Sequence, residues 1–276
     1  MQSALALFKL ITAIRSLLLS ETTEAVVEHI IRKVPPMSDL LDFALEAHGG
    51  LKRWNEFQTL RVDLSIAGAI WEIKHCPGLL TDKKFELQTH YEKLSITPYF
   101  KPNLRSVFVP DRQTLETLTG KIVEAREHPE AAFANQEREM PWDKFHAAFF
   151  ASEALWTYLT SPFLYTYPGF ESEEIEPWYE NGEQWRRLRV TFPDHIVSHT
   201  KTQITHFGPD GLMRRHDYTV DILGGATGAN YTTDYQDYQG LMMPMTRRIY
   251  AYDEAMKKVL EPLLVSIDFR DFMFIS

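Results

Sequence analysis

The chain has 276 residues, of which 44% are hydrophobic, 24% charged and 13% aromatic, with a formal net charge of −9. That hydrophobic content excludes disorder as a description of the whole chain, and the acidic balance argues against nucleic acid as a partner, which calls for a basic footprint. Cys76 is the only cysteine, so an internal disulfide framework and a cysteine-rich metal site are both excluded.

Residues 4–19 (ALALFKLITAIRSLLL) are mostly apolar but are interrupted by Lys9 and Arg15. No apolar run reaches the roughly 18–20 residues of a spanning helix, so no transmembrane segment is expected. The positive charges lie inside the apolar stretch and no Ala-x-Ala follows, which argues against a secretory signal. No acidic residue precedes Glu21, which leaves an organelle presequence open beside the plainer reading of an amphipathic helix. A cytoplasmic location is the expectation, with a presequence or secretion left open. Val34-Pro35-Pro36 ends this segment, because proline blocks helix continuation. The expected organisation is therefore an N-terminal helical extension over 1–36 and one domain over 37–276, with Met37 as an alternative start.

A first core helix is expected from Ser38 or Asp39 to the glycine pair in His48-Gly49-Gly50. From Leu60 the period changes: Leu60, Val62, Leu64 and Ile66 alternate with polar residues, as in a half-buried strand. The stretch Gly68–Lys74 reads as its continuation past a bulge or close approach. Further strands are expected over 81–96, 104–109, 113–119 and 121–127, punctuated by prolines and Gly120. Pro141-Trp142-Asp143 opens the clearest helix, whose apolar residues from Phe145 to Leu159 recur at a 3.6-residue period up to Ser161-Pro162. A strand near 162–167 follows in this reading, then the acidic stretch 171–180, taken as a solvated face. The last third predicts strands over 184–192, 200–207, 212–222, 230–238, 245–252 and 262–274, with a hairpin turn at Gly208-Pro209-Asp210-Gly211. Short strands with turns between them describe an antiparallel meander.

His48-Gly49-Gly50 with Trp54, the 208–211 hairpin, the Gly240…Pro244 step before Arg247-Arg248 and the closing Val265–Phe269 strand together resemble the LolA-like half-barrel superfamily. Leu155–Phe163 and Trp185–Leu188 belong to the same resemblance, which spans residues 37–274. It implies an α+β fold: a strongly curved, mostly antiparallel sheet, open on one side, covered by helices and enclosing an apolar cavity. The superfamily includes periplasmic lipoprotein carriers, mycobacterial lipid carriers and VioE, a cofactor-free enzyme of violacein biosynthesis.

On strand 212–220, alternation puts Arg214, His216 and Tyr218 on one face and Arg215, Asp217 and Thr219 on the other. A four-residue turn sets Gln203 opposite His216 and His199 one pair beyond Lys201–Tyr218, whereas a one-residue bulge moves His206 and Thr202 to that face. Either arrangement gathers His, Arg and Tyr, able to hold a carboxylate or move a proton, or alternatively forms a solvated face of cross-strand pairs. The candidate catalytic residues are His216, Tyr218 and Arg214. The candidate ligand-binding residues add Trp71, Phe149, Trp156, Gln203 and Arg247.

His195 and His199 are the only i,i+4 histidine pair and lie beside Phe192-Pro193, outside any helical pattern, so no metal is expected. Cys76 in His75-Cys76-Pro77-Gly78 reads as a spectator thiol. Gly224-Gly225-Ala226-Thr227-Gly228 lacks the lysine of a phosphate loop and reads as lining the cavity mouth. Arg186-Arg187 and Arg247-Arg248 read as surface pairs, or at a cavity rim as clamps for an acidic head group. No cofactor is expected. Two functions stay open: binding a lipid or other largely apolar small molecule as carrier, sequestering module or sensor, or cofactor-independent catalysis on an apolar or aromatic metabolite. A flat-surfaced interaction module is a third possibility, and the sequence leaves the oligomeric state open.

Overall fold

The computed structural model describes residues 39–276. The expected extension over 1–36 and the Met37 start lie outside the described residues. In chain order, helix α1 (Asp39–Ala47) and the short α2 (Leu51–Trp54) precede strand β1 (Thr59–Ala67) and helix α3 (Ala69–Ile73). A meander follows: β2 (Lys83–Gln88), β3 (Leu94–Thr97), β4 (Leu104–Val109), β5 (Arg112–Thr117) and β6 (Ile122–Glu127). The long helix α4 (Lys144–Thr160) leads into β7 (Glu171–Glu180), β8 (Glu183–Thr191), β9 (Thr202–Phe207) and β10 (Met213–Val220). The chain closes with β11 (Ala226–Tyr238), β12 (Leu241–Tyr252), the two-residue β13 (Lys258–Val259) and β14 (Val265–Ile275).

The strands form one antiparallel sheet in the order β6-β5-β4-β3-β2-β1-β14-β12-β11-β10-β9-β8-β7, with β13 attached to β12. The two meanders meet at β14, and the terminal strands β6 and β7 do not pair with each other, so the sheet is open. Bulges in β6, β7, β10 and β14 bend it. Its curvature can be read from one turn of α4. The indole of Trp156 donates to the carbonyl of Gln88 at the end of β2, while Tyr158 hydrogen-bonds Tyr218 on β10. Those strands are five spacings apart, about 24 Å in a flat sheet, whereas a helix with its side chains is only about 10–12 Å across. The sheet therefore wraps around the helix as a half-barrel.

The wrapping changes what α4 needs to be. Its sequence predicts an apolar stripe laid over a sheet, yet every residue from Phe145 to Thr160 is buried, including Ser152, Glu153, Thr157 and Thr160. The helix is enclosed on all sides, so its polar residues bond internally. Asp143 starts it, its carboxylate accepting from the backbone N–H groups of Phe145 and His146, both at 2.9 Å.

Three expectations are corrected. The strand expected through Gly68–Lys74 stops at Ala67, and α3 follows. Ala69 and Ile70 turn their N–H groups to the carbonyls of Leu263 and Leu264. The stretch 81–96 splits into β2 and β3 around a turn, and 162–167 contains a 3-10 turn, Phe163–Thr166, instead of a strand. The glycine pair does end α1: Gly49 has φ +110°, and a Cβ there would lie 2.1 Å from the carbonyl oxygen of Gly240, which only glycine tolerates.

Burial alone would raise the Asp143 carboxyl, but hydrogen bonds from Arg126 and the His146 N–H outweigh it and hold the group near 2, against an ordinary 3.8. The Asp143→Ala variant is expected to lose about 1 kcal/mol at neutral pH. Because the folded value is depressed, that difference should shrink as pH falls from 3.8 toward about 2. Urea unfolding across this range measures it.

Candidate functional site

Between α4 and the inner face of the sheet lies a cavity of about 590 Å³. Ile66, Val220, Ile249 and Ile267 supply its sheet wall, Ala151, Ala154 and Leu155 its helix wall, and Trp71 of α3 one side. The void exists partly because α4 presents alanine methyls where longer side chains would fill the space. Gln136, Arg138 and Gly224 from loops and Leu223 from the 3-10 turn Asp221–Leu223 line it as well. Lys74 adds a cation whose ammonium donates to the carbonyl of Glu137 at 2.8 Å, tying the 129–142 segment to α3. The indole N–H of Trp71, on this wall, has no partner among the described residues.

At one place the wall is polar. Glu153 Oε1 sits 2.9 Å from Nδ1 of His199, whose Nε2 lies 3.1 Å from the Tyr158 hydroxyl, which in turn bonds the Tyr218 hydroxyl. All four side chains are buried. Tyr158, His199 and Tyr218 line the cavity, so a carboxylate–imidazole–phenol–phenol chain reaches its surface. One proton arrangement satisfies every link: Nδ1–H donates to Glu153, Tyr158 donates to Nε2 and Tyr218 donates to Tyr158. Burial pushes both phenols above their ordinary value, and for Tyr158 the neighbouring Tyr218 adds to the rise, so both stay protonated donors. Position 228 makes room for this. A Cβ on Gly228 would fall 2.4 Å from the Tyr218 ring, which lies against the β11 backbone.

Of the eight residues the sequence nominates, Trp71 and Tyr218 stand on the cavity wall. His216 and Arg247 are buried one layer behind the tyrosines: the His216 ring is 5.2 Å from Tyr218, and the Arg247 guanidinium 4.9 Å from the Tyr158 ring centre. The other four are elsewhere. Phe149 packs on Phe108 and Phe133, Trp156 is bonded to Gln88, and Gln203 donates to the Thr200 carbonyl at 2.9 Å. Arg214 stays at the hairpin, paired with Asp210 and Glu183.

The register explains Arg214. Met213 pairs with Phe207 and Arg215 with His206, so Arg214 is the bulged residue and leaves the His216–Tyr218 face. His216 consequently faces Thr205, not Gln203, and His206 joins Arg215 and Asp217 on the opposite face. That face is also buried. Arg215 donates to Asp217, Glu180, the Tyr231 hydroxyl and the Met256 carbonyl, under Trp178. Arg186 and Arg248 pair with Glu174 and Asp268, and Arg187 donates to the Glu176 carbonyl, so these three do not reach the cavity. Cys76 has its thiol pushed up to about 11, by burial first and Glu72 second.

Glu153 and Tyr158 were not nominated. A single glutamate in an apolar helix reads as a solvent-facing position, and only full enclosure of α4 brings it inside. Glu92, in the turn after β2, is a buried carboxyl as well. One oxygen accepts from the Val197 N–H at 3.0 Å, and the other has no partner among the described residues. Burial pushes this carboxyl well above 4.5, against the Val197 bond and with help from the charge of Glu153.

A raised folded value means stability is full below the unfolded value and is lost as pH rises through the folded one. Glu92→Gln keeps the acceptor and removes the titration. Its melting temperature should match wild type near about pH 4 and exceed it near about pH 8; thermal unfolding at both pH values decides.

No family model and no curated protein matches the sequence. The structure is similar to a LolA superfamily protein from Nitrosomonas europaea, with a TM-score of 0.48 and 9% identity over 84% of this chain and 92% of that one. A putative outer membrane lipoprotein-sorting protein domain from Vibrio parahaemolyticus gives 0.48 and 9%, over 85% and 91%. A DUF1329 family protein from Desulfovibrio piger gives 0.40 and 12%, over 87% and 93%. No helix among the described residues is long and apolar enough to cross a membrane.

Proposed function

We propose that the chain binds a largely apolar small molecule between α4 and the sheet, as a carrier, sequestering protein or sensor. The observation that carries this reading is the aliphatic cavity of about 590 Å³, a size and lining that suit a small organic ligand. Although the chain is acidic overall, the lysine and arginine on the wall, Lys74 and Arg138, face no carboxylate there. The site suits a ligand whose polar end is neutral or anionic. Native mass spectrometry of gently purified protein is expected to find a bound apolar species. The Ala154→Trp variant fills the void and should weaken binding of an environment-sensitive apolar dye about tenfold or more. Unchanged dye affinity in that variant would remove the cavity as the site.

A second reading, a cofactor-independent enzyme acting on an apolar or aromatic metabolite, is favoured by the Glu153–His199–Tyr158–Tyr218 chain. An acidic proton of a ligand beside Tyr218 would pass to the Tyr218 oxygen as the Tyr218 proton moves to Tyr158 and the Tyr158 proton to Nε2 of His199, leaving an imidazolium paired with Glu153. Glu153 acts here as a positioning residue that fixes the imidazole tautomer. Catalysis predicts that Tyr218→Phe and Glu153→Gln still bind a ligand recovered from the native protein, while its turnover falls about 10²-fold. A recovered ligand that wild-type protein releases unchanged would leave the carrier reading alone.

A further inference from the structure

Two arginines are fully enclosed in this sheet, and they are treated differently. Arg215, 0% exposed, meets Asp217 and Glu180. Among the described residues, Arg247, 2% exposed on the inner face of β12, makes one side-chain hydrogen bond, from Nη2 to the Tyr158 carbonyl at 2.7 Å, and no ion pair. Its Nε and Nη1 have no partner among the described residues. After burial, the largest electrostatic influences on it come from Tyr235, Tyr158, Tyr218 and Tyr165, none of them a carboxylate, and the imidazoles of His48 and His216 also feel its charge.

The same place holds other unpaired groups. Among the described residues, neither ring nitrogen of His216, 0% exposed, has a partner, and neither amide atom of Asn230, also 0% exposed, has one. These residues are neighbours by register. His216 on β10 lies directly across from Asn230 on β11, and Arg247 pairs with Thr232, two residues along from Asn230 on the same face. Burial, and then the charge of Arg247, holds the His216 imidazole well below its ordinary value, so it adds no second cation and one N–H donor. Buried polar groups in folded proteins nearly always have partners, and a buried guanidinium calls for a counter-charge. Three side chains that the register sets close together on one face thus hold unused donors, and among the described residues none of them has a carboxylate partner.

We propose that Arg247, His216 and Asn230 form an internal site for a singly charged anion, beside the cavity and separated from it by Tyr158 and Tyr218. The guanidinium supplies charge and its unused N–H groups, and the imidazole N–H and the Asn230 amide complete a ring of donors. The anion is either a free halide-sized ion or the carboxylate of a ligand whose chain lies in the cavity. The site stands on its own geometry and does not need the cavity to be a carrier's.

The test uses the full chain. Protein prepared in sodium gluconate is titrated with bromide at constant ionic strength while thermal unfolding is followed, and crystals are soaked in bromide or in dodecanoate. An anomalous peak among Arg247, His216 and Asn230, with a melting temperature that rises with bromide, supports a free ion. Carboxylate density on Arg247 from dodecanoate supports the ligand head group. Asn230→Asp supplies a built-in carboxylate of nearly the same shape. It should raise the melting temperature in gluconate by about 2–4 °C and abolish the bromide dependence. Water alone at Arg247 in both soaks, with equal melting temperatures in bromide and gluconate, overturns the proposal.

Discussion

The fold depends on the enclosure of α4 by a sheet that never closes. An antiparallel sheet whose edges do not meet exposes its concave face unless something fills it. One seventeen-residue helix does so, from the Asp143 cap to Ser161. Contacts on opposite sides of that helix, Trp156 to β2 and Tyr158 to β10, fix the bend of the sheet. The cavity is what remains where α4 carries Ala151 and Ala154. Packing, curvature and site therefore share one cause, and a change in the helix is felt in all three.

Enclosure also decides the chemistry. Glu153 and Tyr158 lie on a helix with no solvent face, so each must find a partner inside. Glu153 takes His199 and Tyr158 takes both His199 and Tyr218. His199 arrives on the loop after β8, held by its own carbonyl accepting from the Asp221 N–H at 2.9 Å. The resulting chain of polar groups is what tertiary packing does with polar residues it cannot expose.

Much of the architecture was legible in the residues. Alternation marked β1, turn chemistry marked the 208–211 hairpin, and Pro141-Trp142-Asp143 with Ser161-Pro162 bracketed α4. The site was legible only in part, for two physical reasons. Period identifies an apolar stripe, but it does not reveal that the opposite side of a helix is covered too, so nothing in the pattern singles out Glu153. Alternation also presumes unbroken pairing. The bulge at Arg214 shifts one strand against the next, exchanging the expected partner of His216 and sending Arg214 back to Asp210. Trp71 was nominated from a strand that proves to be a helical turn, yet it stands on the wall. Phe149 and Trp156 share its aromatic character and face away, because a helix inside a concave sheet has apolar neighbours in every direction.

The unequal ends of the sheet bear on how copies of the chain meet. Among the described residues, β7 has β8 as its one neighbour, and it carries Glu171, Glu173, Glu174 and Glu176 as well as Pro177, which has no N–H to offer. The opposite margin, β6, presents Ile122 and Val123 largely uncovered. Propagation of the ladder from molecule to molecule would require the margin at β6 to accept the margin at β7 of the next copy, again and again. Crowded carboxylates and a missing donor make β7 a poor acceptor at every such step, so the architecture keeps an open sheet from becoming a filament without sealing it.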